Sequence, residues 1–273
     1  MCFCICSTAA TISVSEPVGR QPPFPDRSDM SSPAFSTTAS PTRYRFSGPK
    51  KLAFAAVLAV FAISWVHPLW PTEQALHSTL TVIGLAALLW VDRRGGWLGN
   101  GAFIAICGFI ALHCVAARWL YSNVPYDAWA QALTGWSPNA AFGWQRNHFD
   151  RLIHFLFGVC FTPALLQLAR HAWPALRLGQ AFTLAVMTVM CASLVYEWFE
   201  WAIALALSPD AAEAYNGQQG DMWDAHADML MATVGSLLTW PLIRRSSLQC
   251  PPQPASPCSP RAAAATCRRS WMR

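Results

Sequence analysis

The chain has 273 residues, of which 54% are hydrophobic and only 12% charged, and a formal net charge of +5. Soluble domains carry about 25% charged residues. The apolar residues here fall in runs of bilayer length, which excludes an ordinary soluble domain, and in such a chain the positive charge marks cytoplasmic segments rich in Lys and Arg rather than a nucleic-acid surface.

Residues 1–48 are rich in Ser, Pro and Thr and cannot bury a core, so they read as a disordered cytoplasmic tail. The opening Met1-Cys2-Phe3-Cys4-Ile5-Cys6 has no basic leader and is too short for a signal peptide, and Met30 is an alternative start. The stretch 50–245 reads as a single all-α domain, a polytopic membrane helix bundle of about six transmembrane helices. The apolar runs are 52–70, 75–91, 97–117, 152–169, 181–201 and 225–243. At about 1.5 Å per residue each matches the roughly 30 Å hydrocarbon core. A backbone in that medium must satisfy its own hydrogen bonds, so the runs are helices. The fifth can continue to Leu207, making it long or tilted. Residues 246–273, rich in Pro, Ala, Arg and Cys, form a second disordered tail.

Sixteen of the nineteen Lys and Arg residues fall in the two tails and the loops after the second and fourth runs; Arg118, Arg146 and Arg151 are the exceptions. The positive-inside rule then predicts a multi-pass protein of the inner (plasma) membrane with both termini cytoplasmic, as an even number of spans requires. Trp70, Trp119, Trp129, Trp136, Trp144, Trp198, Trp201 and Trp223 gather at the opposite ends, at headgroup depth. Residues 126–136 read as a short interfacial helix. Cys107, Cys114, Cys160 and Cys191 lie in spans and the other six cysteines in the tails, with no CxxC pair, so they read as small apolar residues or reduced thiols. His67 and His77 read as interfacial and structural. His113, near the outer end of the third run, either joins the polar cluster described next or is a hydrogen-bonded core residue.

Three helix ends carry that cluster. The fourth run begins Arg146-Asn147-His148-Phe149-Asp150-Arg151-Leu152-Ile153-His154-Phe155, where Asp150 and His154 are four apart and share a face. Gly158 continues this face and allows close approach of another helix; Pro163 is expected to kink it. The fifth run ends Tyr196-Glu197-Trp198-Phe199-Glu200-Trp201, with both carboxylates on one side. The sixth opens Gln218-Gln219-Gly220-Asp221-Met222-Trp223-Asp224-Ala225-His226-Ala227-Asp228; Asp221, Asp224 and Asp228 line one face if helical, and the first two also suit a helix start. His226 is off that face. The alternating topology brings all three ends to the outer side. Oxygen-rich groups with one imidazole suit a divalent metal ion such as Mg²⁺, Mn²⁺ or Zn²⁺, and equally proton transfer. The expected metal ligands are Asp150, His154, Glu200, Asp224 and Asp228; His154, Glu197, Glu200 and Asp228 are the candidates for catalysis; Arg146, Asn147, Arg151 and Asp221 complete the polar site. A purely structural alternative has the arginines paired with some carboxylates and the rest acting as caps.

On these motifs, together with Tyr121-Ser122-Asn123-Val124-Pro125, the chain resembles the YjdF-like family of bacterial inner-membrane proteins of unknown function over roughly residues 50–245. A more distant likeness to VanZ-like proteins rests on Asp150, Arg151, His154, Phe155, Glu200, Asp224 and Asp228. The resemblance implies a membrane topology and a polar site, and no reaction. Lipid-phosphate phosphatases need Ser-Gly-His and CDP-alcohol phosphotransferases need Asp-Gly and Ala-Arg ahead of their last aspartates; both patterns are absent, as are Walker, GxGxxG and Gly-x-Ser-x-Gly motifs. Three functions fit: metal- or proton-dependent processing of an envelope or lipid-linked substrate, a small-solute or proton-coupled transporter, and a structural or regulatory envelope protein. The partners read from the sequence are membrane lipids and no nucleic acid; the motifs name neither substrate nor oligomeric state.

Overall fold

The computed structural model of the protein describes residues 46–249, which form ten helices: α1 (Gly48–Ser64), α2 (Pro71–Gly95), α3 (Asn100–Arg118), α4 (Tyr126–Thr134), α5 (Pro138–Phe142), α6 (Phe149–Ala172), α7 (Leu178–Ala206), α8 (Pro209–Asn216), α9 (Asp224–Leu238) and α10 (Trp240–Gln249). Proline opens α1, α2, α5 and α8, where the missing N–H has no helical partner to lose. The second helix stops at Gly96, whose φ of 62° takes the left-handed conformation and lets its N–H cap the Asp92 carbonyl.

The chain is an all-α polytopic membrane bundle. Helices α2, α3, α6 and α7 are each long and apolar enough to cross a bilayer. Helix α1, with 17 residues, reaches about 26 Å. The 29-residue α7 carries through to Ala206, as its apolar run allowed. The sixth run differs from expectation. It is not one helix: α9 ends after 15 residues and α10 begins beyond Thr239. Pro241 supplies the reason, since it brings no N–H to the ladder and its ring opposes the carbonyl four residues back. The Thr239 N–H turns instead to the Ser236 carbonyl, and its hydroxyl donates to the same oxygen at 2.7 Å.

Large apolar side chains point outward along the bundle, among them Leu58, Val82, Ile83, Met187, Val195, Leu230 and Leu237. A water-soluble protein could not tolerate so many, and lipid receives them. Inside, Val57, Leu85, Leu88, Phe103, Ile106 and Ile110 join α1, α2 and α3. At one end Lys50, buried, donates to Asp92 at 2.5 Å and to the Leu98 carbonyl at 2.6 Å, tying the first three helices together.

Helices α6 and α9 touch backbone to backbone. A β-carbon on Gly158 would lie 2.0 Å from the Ala232 carbonyl oxygen, and one on Gly235 would lie 2.1 Å from that of Phe155. Fully buried Thr162 and Ser236 share a 2.5 Å hydroxyl contact along the same seam. Small residues permit this packing where no water drives association. The close approach expected at Gly158 is therefore made, with α9.

The expected interfacial helix is α4, ending at Thr134, and none of its residues is buried. Residues 246–249, assigned to the second tail, are helical in α10. Of the first tail, Gly48 opens α1 and Phe46 packs edge-on against Phe103; the disorder expected of residues 1–45 and 250–273, and the cysteines they hold, fall outside the described residues. Within the bundle Cys107, Cys114, Cys160 and Cys191 are free thiols.

Candidate functional site

The amino end of α6, the carboxyl end of α7 and the amino end of α9 meet at the end of the bundle opposite Lys50. Asp150 and His154 stand on successive turns of α6, and the close α6–α9 seam carries Asp228 to them. Asp150, His154 and Asp228 are all buried, and each offers a ligand atom within 4.8 Å of the other two. His154 Nε2 lies 3.7 Å from Asp150 Oδ1 and 3.9 Å from Glu197 Oε1, so α7 reaches the same point. Glu197 is buried as well, and its Oε1, like Asp228 Oδ1, is out of solvent without a hydrogen-bond partner among the described residues. Glu200, a turn further along α7, lies within electrostatic reach of Asp150, Glu197 and Asp228, and its carbonyl accepts from Asn216 Nδ2 of α8 at 3.1 Å.

The arginines serve another group. Arg146 contacts Asp221 at 3.1 Å and Asp224 at 2.8 Å, and Arg151 contacts Asp221 at 2.5 Å and Asp224 at 3.4 Å. Two guanidinium groups and two carboxylates thus form a closed cage, the arginine pairing that the structural alternative expects of some carboxylates. Asp221 does not lie on the α9 face. It sits in the loop before the helix, where its side chain accepts the Trp223 N–H at 2.9 Å. That bond and the two arginines hold its carboxyl below the usual range. His148, just ahead of α6, is lowered by burial and by Arg151 and Arg146, and so favours the neutral form. Asn147 pins the start of α6. Its Nδ2 donates to the Val124 carbonyl at 2.8 Å, its Oδ1 accepts from the Phe149 N–H, and its backbone exchanges two bonds with the Gln219 side chain.

The ten residues singled out in the sequence therefore divide by chemistry. Asp150, His154, Glu197 and Asp228 converge, with Glu200 beside them. Asp224 and Asp221 answer Arg146 and Arg151, and Asn147 fixes the backbone. Among the described residues no lysine or arginine lies within ion-pair distance of Asp150, Glu197, Glu200 or Asp228.

A second buried group stands next to this one. His77 takes the structural role: it is 1% exposed, stacked on Tyr215 at 4.2 Å and against Tyr121 at 4.9 Å. His113 hydrogen-bonds the Tyr121 hydroxyl through Nδ1 and meets the His77 carbonyl through Nε2 at 3.3 Å, so it takes the core role rather than joining the carboxylates. Tyr121, Tyr196 and Tyr215 had no signal in spacing; only Tyr121 and Tyr196 stood inside motifs that were read for other residues.

Between α2, α3, α6 and α7 lies a cavity of about 450 Å³. Its walls include His154, Tyr196, Ser193, His113 and Tyr121 at one end and Leu88, Val91, Leu98, Phe161, Leu165 and Leu168 at the other.

Residues 49–247 match the family described as "Predicted membrane protein (DUF2238)". The chain is also similar to the inner membrane protein YjdF of Escherichia coli strain K12, with 34% identity over 128 residues. That alignment spans 46% of this chain and 56% of the relative, little more than half its length. No solved structure matches. Neither similarity extends to VanZ-like proteins, and that analogy is not supported.

Proposed function

Taking as premise that the chain belongs to the DUF2238 family of predicted membrane proteins, we propose that it is an inner-membrane protein whose Asp150, His154 and Asp228 hold a divalent cation for the processing of a lipid-linked substrate. Glu197 and Glu200 stand as proton acceptors beside the ion. In this reading the chain crosses the membrane six times with both termini cytoplasmic, and the site faces the periplasm; the sixteen-to-three distribution of basic residues supports that orientation.

One observation carries the reading: buried Asp228 and Glu197 each keep an oxygen without a hydrogen-bond partner among the described residues, beside the His154 imidazole, while the nearby arginines are engaged elsewhere. Unpaired buried carboxylates are expensive, and a cation or a proton relieves the cost. The donors fit a small ion. Ligands on opposite sides of Mg²⁺ are about 4.2 Å apart, so a spread of 4.8 Å closes with small side-chain rotations. Two carboxylates and one imidazole leave positions open for water and substrate, as catalytic sites do. A bound cation would polarise a substrate oxygen or lower the pKa of a water, whose proton Glu197 is placed to accept.

The test is metal analysis of the purified full-length protein in detergent. About one divalent ion per chain is expected. It should be lost from His154→Ala and Asp228→Asn and kept in Asp224→Asn, whose carboxylate belongs to the arginine cage. Wild-type protein that takes up no divalent ion after equilibration with Mg²⁺, Mn²⁺ or Zn²⁺ overturns the reading.

A further inference from the structure

The cavity has a polarity gradient that matches one kind of ligand. Its polar wall residues all lie in the half nearer His154, with Thr81 the deepest, near the middle of α2. The far half, from Leu88 and Ile106 to Leu168, is entirely apolar. From His154 to Leu168 α6 advances about 21 Å, and one leaflet of hydrocarbon is about 15 Å deep. The cavity therefore takes a whole lipid tail. The mouth opens sideways. Ala87 on α2 and Ala192 on α7 both line the cavity and are exposed, and so face lipid between these helices.

We propose that this cavity holds an acyl chain of a membrane phospholipid, entering between α2 and α7, with the lipid's polar end delivered to His154. The proposal rests on the carboxylate–histidine cluster being the reactive site, and it names the substrate class of that site. Tyr196, Ser193 and His154 are the groups that meet the chain's polar end; Phe157, Phe161 and Leu165 enclose its length.

The probe is a phosphatidylcholine with a diazirine near the end of one unbranched acyl chain. It is mixed into phosphatidylethanolamine–phosphatidylglycerol vesicles that contain the full-length protein. After illumination, adducts are expected on Phe161, Leu165 or Leu168, besides those on outward residues such as Leu58 and Leu230. Two variants fill the cavity from different helices: Gly84→Trp, where an added β-carbon meets only Ile110 at 3.8 Å, and Ala192→Trp at the exposed mouth. Each should lower the deep adducts by about tenfold and leave the outward ones unchanged. Adducts confined to outward residues, or deep adducts that persist in both variants, overturn the proposal. So does deep labelling by a diazirine-bearing polyprenyl phosphate that exceeds labelling by the acyl probe. Asp228→Asn separates the two readings, because Asp228 belongs to the metal cluster but does not line the cavity, so the variant should lose metal and keep the deep adducts. Deep adducts in a wild-type protein that binds no metal support the tail site while ending the metal reading. A metal-loaded protein without deep adducts ends the tail site alone.

Discussion

Arg146 and Arg151 share one end of the bundle with six carboxylates, yet both close on Asp221 and Asp224. This division decides what each acid can do. Asp221 is half-buried and tied to a backbone N–H, and its carboxyl is held low. A depressed carboxyl adds stability above its unfolded value, near pH 4, and that contribution disappears as pH falls through the lower folded value. Asp221→Asn should therefore melt below the wild type at neutral pH, and the gap should narrow steadily below about pH 4. Thermal scans in detergent across the acid range check this; a gap of constant size would mean that the cage does not depend on the Asp221 charge. Asp228→Asn makes the opposite comparison. It removes a charge that has no lysine or arginine partner among the described residues, so the metal-free protein should melt at or above the wild type. Adding divalent ion should then raise the wild-type melting temperature and leave the variant's unchanged, since only a bound ligand stabilises by mass action. Spacing alone made the shared face of Asp150 and His154 legible. It could not tell Asp224 from Asp228, because both fit one helical face and only the three-dimensional approach of the arginines separates them.

At the scale of helices, the site depends on how closely α6 and α9 approach. Gly158→Ala places a methyl 2.0 Å from a backbone oxygen, and backbone cannot move aside as a flexible side chain does. The helices must separate, at about 1–3 kcal/mol, and Asp228 then withdraws from Asp150 and His154. Gly108→Ala is the control. It meets nothing within 4 Å on the lipid side of α3 and should be neutral or stabilising by about 0.5–1 kcal/mol. Melting temperatures of the two variants should shift in opposite directions or differ by several degrees, and equal shifts would show that the seam has no special demand for glycine. The sequence marked Gly158 because it follows Asp150 and His154 on one face. Its counterpart Gly235 stands two turns beyond Asp228 and beside Ser236, but that spacing was not read as a helix contact. The division of the last run at Thr239 was also hidden, since 228 is the last charged position before 244 and hydropathy does not register the hydrogen bond that Pro241 removes.

For the molecule as a whole, the basic residues and the helix lengths bear on different questions. Arg118, the third exception to the charge asymmetry, donates to the carbonyls of Ser64 at 2.7 Å and Val66 at 2.9 Å and so caps α1. All three arginines at that end thus have structural partners, and the asymmetry among the remaining basic residues is the topological signal. Helices α2, α3, α6 and α7 are long enough to cross on their own, whereas α1 is short and α9 needs α10 to complete its path. Hydropathy therefore made the bundle legible while leaving its two flanking members to be decided by parity. If α9 and α10 together cross, a fusion after Arg245 lies in the cytoplasm; if they turn back, it lies outside. Alkaline phosphatase matures its disulfides only in the oxidising periplasm, so it should be inactive when fused there and active when fused after Trp144, in the segment between α5 and α6. A fluorescent protein that folds only in the cytoplasm should show the reverse. Phosphatase activity at both positions would place α9–α10 along the surface. The carboxyl end would then share a side with the cluster, and the basic residues Arg244 and Arg245 would stand where the positive-inside rule does not allow them.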